Sequence, residues 1–136
     1  MSFKVDSNNV EKVIEELNFS KSNGLIAVIA QDWQTNEVLM FAFANKEAIL
    51  KSLATGRAHY YSRTRKELWE KGESSGHVQI IKEIFVDCDA DAILLKIEQN
   101  VAACHEGYKS CFFRKLNDKG EFKIIGKKIF NPSEVY

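Results

Sequence analysis

The residues best suited to chemistry lie in one stretch of the chain, residues 87–114, which reads DCDADAILLKIEQNVAACHEGYKSCFFR. This stretch holds all three cysteines of the chain, three aspartates at alternate positions and one of the three histidines. Thiolates are soft ligands that suit zinc, whereas carboxylates suit a hard cation such as magnesium. The residue types therefore offer ligands for two metal sites of different character.

The three aspartates, Asp87, Asp89 and Asp91, follow a largely apolar segment. Alternate residues of an extended strand point to the same side, so a strand through 78–89 would gather carboxylates on a polar face and turn Cys88 toward an apolar face. Neighbouring carboxylates repel one another unless a cation lies among them. We interpret the pattern as a magnesium site, with an ordinary solvated acidic strand end as the alternative.

The cysteines raise the question of a zinc site. Cys104 and Cys111 flank the glycine-containing segment HEGYKS, which could fold their thiols together, and Cys88 lies upstream. Three protein ligands with an open position for water are the arrangement of a catalytic zinc site, whereas the alternative is that small apolar thiols fill the core. His105 adjoins a candidate ligand and is suited to acid or base chemistry near physiological pH, although such a histidine is more often packed or hydrogen-bonded.

The elements that must position these residues are predicted from the spacing of apolar residues. Helical spacing predicts a helix over 8–18, and Asn45 and Gly56 are the expected caps of a second helix. The segment 64–76 is polar and glycine-punctuated and is predicted to be a loop. Short apolar runs predict strands in a hairpin over 25–43, at 58–63, 77–88 and 92–99, and once after about residue 117. We expect one α+β domain over 1–136, with a mainly antiparallel, barrel-like sheet and two short helices.

The composition excludes several classes of protein. Lys plus Arg and Asp plus Glu number 19 each, so no overall basic charge indicates a nucleic-acid partner. We see neither a secretory signal nor an apolar run long enough to cross a membrane, and we expect a cytoplasmic protein with no membrane partner. An odd number of cysteines in that compartment argues against a disulfide framework.

Two segments together resemble phosphoribosyl-AMP cyclohydrolase, an enzyme family of histidine biosynthesis. They are SRTRKELWEKGESSGHVQ at 62–79 and the stretch 87–114, which share with the family the patterns W-x-K-G-E-x-S-G, D-C-D-x-D, A-C-H and S-C-F-x-R. The likeness runs in order from about Gly24 to Leu116. Because the chain ends soon after the last pattern, we expect the free-standing enzyme, without the pyrophosphohydrolase domain that is sometimes fused to it.

The resemblance implies a reaction, metals and an assembly. The family opens the adenine ring of N1-(5-phosphoribosyl)-AMP by hydrolysis of the N1–C6 bond, and its members are homodimers that share zinc between subunits and need magnesium. Carried over by position, the zinc ligands are Cys88, Cys104 and Cys111, and the magnesium ligands are Asp87, Asp89 and Asp91.

The chemistry of that substrate suggests roles for further residues. His105 is the first candidate for the general base and His59 the second. Trp69 could stack on the purine, although a tryptophan is more often a packing residue. Groups that could approach the substrate phosphates are Arg63, Arg65, Lys71, Ser74, Ser75 and Gly76. The alternatives are a non-catalytic, zinc-stabilised nucleotide-binding module and a zinc nucleobase deaminase, although the deaminase signature is absent.

Overall fold

A curled, mixed six-stranded sheet that forms a half-barrel is the body of the fold in the computed structural model, which describes residues 3–135. Its strands are β1 (Ile26–Asp32), β2 (Val38–Ala44), β3 (His59–Ser62), β4 (Glu67–Glu70), β5 (Gln79–Val86) and β6 (Ala92–Gln99), in the spatial order β4-β3-β2-β1-β6-β5. The helices are α1 (Val10–Glu16) and α2 (Lys46–Thr55), with short 3₁₀ turns at Ser20–Ser22 and Pro132–Glu134. A separate hairpin joins β7 (Arg114–Leu116) to β8 (Phe122–Ile124).

The sheet is mainly antiparallel, as predicted, but one central pair is parallel. Strand β1 runs parallel to β6, from Ala27 opposite Ala92 to Asp32 opposite Ile97, while the other neighbouring pairs within residues 3–135 are antiparallel. A parallel pair needs a crossover connection, and here the whole segment from β2 to β5 supplies it. The expectation was therefore correct for the hairpins and missed the long-range pair.

Helix α2 begins and ends where its cap residues predicted. The Asn45 side chain accepts a hydrogen bond from the Ala48 amide at 2.9 Å, and Gly56 adopts the left-handed conformation with φ +76°. The helix buries Ala48, Ile49 and Leu53 in the core that also contains the inner face of the sheet. Helix α1 is shorter than the predicted 8–18, and no helix among residues 3–135 has the length and apolar character needed to cross a bilayer.

The opposite face of the sheet carries an uncovered apolar row. Phe41 of β2 lies opposite Ile29 of β1, Ile29 opposite Leu94 of β6, and Leu94 opposite Phe85 of β5. Phe41 is 49% exposed, Phe85 48% and Ile29 37%. Large apolar side chains aligned in register across four strands are unusual on a solvated surface and typically mark an interaction site. These four residues are called the apolar row below.

Three predicted elements differ from the structure. The predicted loop 64–76 contains β4, which pairs with β3 from His59 opposite Glu70 to Ser62 opposite Glu67. Strand β5 ends at Val86, so the residues after it form a turn rather than an extension of the strand. The single last strand expected after residue 117 is instead the β7–β8 hairpin, which starts at residue 114.

A β-bulge explains why the predicted faces of β5 were wrong. The register with β6 shifts between Ile81 and Glu83, which inserts one extra residue and reverses the alternation of side chains beyond that point. Gln79 and Ile81 are fully buried before the bulge, on the face that was predicted to be polar. Cys88 is exposed and does not face the apolar interior of its own chain.

Candidate active site

The three aspartates lie together in the turn between β5 and β6. One carboxylate oxygen from each of Asp87, Asp89 and Asp91 lies within 4.8 Å of the others. The turn is closed by the Asp87 carboxylate, which accepts hydrogen bonds from the amides of Asp91 at 3.1 Å and Ala92 at 3.2 Å. The sequence therefore predicted the cluster correctly, but a turn rather than strand alternation brings the side chains together. Three converging carboxylates fit a hard divalent cation such as magnesium.

Lys21 contacts this cluster and was not identified from the sequence. Its ammonium donates to the Asp89 carboxylate and lies 3.2 Å from Asp91 Oδ2. The hydrogen bond from Lys21 lowers the pKa of Asp89 to about 2, whereas the hydrogen bond with Asp89 raises the pKa of Asp91. Lys21 lies in a distant part of the sequence with no pattern linking it to the aspartates.

A tight loop brings Cys104 and Cys111 together, as the HEGYKS spacing predicted. The Cys104 amide donates to the Tyr108 carbonyl at 3.2 Å, and the Gly107 amide donates back to the Cys104 carbonyl at 3.2 Å. Gly107 has φ +103°, and a Cβ there would lie 2.6 Å from the Phe130 carbonyl oxygen, so the turn requires glycine. The two thiols lie close enough for an electrostatic interaction with each other.

The electrostatics of the thiol pair suit a soft metal ion. Burial and the adjacent Cys104 together raise the pKa of the Cys111 thiol to about 11, while Lys71 acts in the opposite direction. Two adjacent thiolates without a cation would repel each other, and zinc removes that repulsion. Cys104 is buried, whereas Cys88 lies in the aspartate turn. Within residues 3–135 the aspartates are the one group of three potential ligands that converges, so the three cysteines do not meet in a single chain.

A cavity of about 460 Å³ lies beside the thiol loop. It brings together six of the residues that the sequence predicted for substrate or proton transfer, which are Arg65, Trp69, Lys71, Ser74, Ser75 and His105. Arg63 lies instead in an adjoining cavity of about 250 Å³, which shares Arg65 and Trp69, and its guanidinium stacks 4.1 Å from the centroid of the Phe43 ring. Gly76 does not line the larger cavity.

The wall of the cavity is the loop that follows β4. The Gly76 amide donates to the Gly72 carbonyl at 2.8 Å, which closes the loop on itself. Gly72 has φ +87°, and a Cβ there would lie 2.4 Å from the backbone carbon of His77. Only glycine fits so close to the His77 backbone. The glycine of the K-G-E-x-S-G pattern is therefore needed for the shape of the cavity wall. Trp69 packs against Tyr60 with ring centroids 5.1 Å apart, so it serves as a packing residue as well as a cavity wall.

Lys71 extends from this loop toward the thiols. Its ammonium donates to the Ala103 carbonyl oxygen at 2.6 Å. Burial lowers the pKa of Lys71, while the nearby Cys111 and Cys104 thiols oppose that shift. The ammonium therefore lies between the cavity and the thiol pair.

The three histidines occupy different environments. His105 is exposed and lines the cavity. His59 is 7% exposed, its Nδ1 atom donates to the Arg57 carbonyl at 2.9 Å, and its Nε2 atom lies 3.6 Å from Glu70. His77 received no role from the sequence, yet it is buried against the Phe130 ring, and burial followed by the charge of Lys71 lowers its pKa. No spacing pattern marks His77, and only the folded chain shows that it adjoins Lys71.

Comparisons with known proteins identify the family of this chain. A family model described as phosphoribosyl-AMP cyclohydrolase matches residues 40–113. A protein of that name from Methanothrix thermoacetophila is 62% identical over 82% of this chain and 89% of its own, and one from Methanococcoides burtonii is 54% identical over 90% and 98%. The histidine biosynthesis bifunctional protein HisIE of Thermoanaerobacter pseudethanolicus is 51% identical over 93% of this chain and 58% of its own. The chain belongs to the phosphoribosyl-AMP cyclohydrolase family.

Proposed function

We propose that the protein hydrolyses the N1–C6 bond in the adenine ring of N1-(5-phosphoribosyl)-AMP, a step of histidine biosynthesis. The observation that carries the proposal is the cavity of about 460 Å³, in which His105, next in sequence to Cys104, faces cationic and hydroxyl groups. Related proteins over most of the chain bear the name of this activity. Substitution at N1 leaves C6 of the purine electron-poor, so water can add there and collapse of the adduct can break the bond to N1.

The proposed zinc ligands are Cys88, Cys104 and Cys111. Zinc held there would act as a Lewis acid that makes water a better nucleophile. Three thiolates around zinc would give the site a net negative charge. Zinc in such a site would lower the pKa of bound water less than zinc with neutral ligands does, so a protein group must help to remove the proton. His105 is the proposed base, because it borders the cavity beside Cys104. His59 is less suited, since it is only 7% exposed and does not line that cavity.

The proposed phosphate contacts come from the cavity wall. The Arg65 guanidinium and the hydroxyls of Ser74 and Ser75 line the cavity, and these groups suit the two phosphates of the substrate. Asp87, Asp89 and Asp91 would hold magnesium, which would supply positive charge to the phosphates of the substrate. Trp69 offers a ring face at the cavity wall on which the purine can stack.

A homodimer with shared zinc is the proposed assembly. The apolar row is uncovered in the single chain, and the small apolar pocket formed by Ile29, Phe85 and Leu94 extends to Val86 and Asp87, directly before Cys88. A second copy packed on this face by two-fold symmetry would bury the row and carry Cys88 to its partner. The separation of Cys88 from the Cys104–Cys111 pair within one chain supports this arrangement, because the zinc site then needs two chains to be complete.

The direct test is turnover of phosphoribosyl-AMP by the purified protein with zinc and magnesium, followed by ultraviolet absorbance, since opening the ring changes the spectrum. We expect turnover by the wild type and at most a trace by the Cys104→Ser variant. Binding of the nucleotide without turnover would favour the zinc-stabilised binding module. Release of ammonia with the ring intact would favour the deaminase.

A further inference from the structure

Lys71 differs from the other candidate phosphate contacts, because its ammonium hydrogen-bonds to the backbone next to a candidate zinc ligand. The side chain starts from the cavity wall and ends on the Ala103 carbonyl oxygen, at 2.6 Å. Ala103 is buried and directly precedes Cys104. One of the donors of the ammonium is therefore committed to the backbone of the thiol loop.

The same backbone segment is held by a second polar side chain. Gln99 Nε2 donates to the Ala102 carbonyl at 3.2 Å. Lys71 comes from the loop that forms the cavity, and Gln99 comes from the end of β6. The two carbonyls that precede Cys104 are thus fixed by side chains from separate elements.

The positive charge of Lys71 is suited to balance the negative charge of zinc-bound thiolates. It lies close enough to Cys104 and Cys111 for a direct electrostatic interaction with both. Zinc with three thiolates carries a net charge of about −1, and a buried net charge is costly without a nearby opposite charge. Groups outside the ligand shell that fix ligands and balance charge commonly change metal affinity by about 10- to 100-fold.

We propose that Lys71 is a positioning residue of the zinc site, which clamps the Cys104 loop and balances the charge of the thiolates, rather than a ligand of the substrate phosphate. This inference rests on the proposed function, because it assumes zinc at the thiols. It also links the two halves of the site, since the loop that shapes the cavity then holds the loop that carries the metal ligands.

The test compares zinc affinity, measured by competition with a chromophoric chelator, with kcat and KM at saturating zinc. Lys71→Met removes the ammonium at similar length, Lys71→Arg keeps the charge, and Arg65→Met is the matched control from the same cavity. We expect Lys71→Met to bind zinc roughly 10- to 100-fold more weakly and Lys71→Arg to recover most of that loss. Arg65→Met should bind zinc like the wild type and raise KM.

The inference is overturned if Lys71→Met binds zinc as tightly as the wild type and only raises KM. If that variant does not fold by circular dichroism, Lys71→Gln takes its place under the same criterion, because it keeps a donor for Ala103 and lacks the charge. A wild type that binds zinc but has no turnover contradicts the proposed function and leaves this inference standing. A wild type that binds no zinc overturns both.

Discussion

At the scale of single residues, His105 and His59 differ in what surrounds their rings. His105 is exposed and lines the cavity, whereas His59 is only 7% exposed and lies against the Arg57 carbonyl and the Glu70 carboxylate outside the cavity lining. We expect His105→Asn to lower kcat by roughly a hundredfold or more, with zinc content unchanged, because proton transfer is lost and the zinc ligands are not. Steady-state kinetics and metal analysis check this. A near-normal kcat in His105→Asn together with a large loss in His59→Asn would assign the base to His59.

Lys21 leads to a prediction about the aspartate cluster. Its ammonium interacts with Asp89 and Asp91, so a divalent cation that binds there must displace it or bind against its charge. We expect Lys21→Met to bind magnesium more tightly than the wild type, which titration calorimetry would measure. Lys12→Met, on the exposed side of α1, is the control and should leave the affinity unchanged. Weaker binding in Lys21→Met would mean that Lys21 organises the carboxylates rather than competing for them.

At the scale of elements, Gly24 and Gly72 have nearly the same backbone conformation but different surroundings. Alanine variants at the two sites therefore separate the cost of backbone strain from the cost of a steric clash. Gly72 has φ +87° and Gly24 has φ +86°, but a Cβ at Gly72 would lie 2.4 Å from the His77 backbone, while a Cβ at Gly24 meets nothing within 4 Å. Alanine at either site destabilises the fold by about 1 kcal/mol, because it must adopt the left-handed conformation. We expect Gly72→Ala to lower the melting temperature clearly more than Gly24→Ala, and also to raise KM by deforming the cavity wall. Equal melting temperatures would show that the loop relaxes around the added methyl group.

The elements that were predicted from the sequence are those with local signals. The ends of α2 were predicted from Asn45 and Gly56, because a cap residue acts on the adjacent turn of the helix. Strand β4 was missed because ELWE does not alternate polar and apolar residues, and its pairing with β3 decides its conformation. The bulge near residue 82 has no local signal in the sequence. The sequence therefore predicted that the three aspartates converge, but it wrongly placed them on an extension of the strand. The contacts of Lys21 and His77 are long-range and could not be predicted from spacing.

At the scale of the whole molecule, the separated cysteines predict that each active site needs two chains. Under the shared-zinc proposal, Cys88 of one chain joins Cys104 and Cys111 of the other. A heterodimer of Cys88→Ser and Cys104→Ser chains would then hold both defects in one site and leave the second site intact. After the two variants are unfolded, mixed and refolded, random pairing should restore about a quarter of wild-type activity. Each variant refolded alone is the control. Mixtures without activity at every ratio would contradict the shared site.

The parallel pairing of β1 with β6 also sets the order in which the protein can be completed during synthesis. Strand β1 leaves the ribosome early, yet one of its hydrogen-bonding edges has no partner until residues 92–99 emerge. Pairing across so long a connection is slow, and an open apolar edge is prone to join other chains. The aspartate turn is the last connection made before β6 closes the sheet. The acidic cluster therefore forms only after both β5 and β6 have been synthesised.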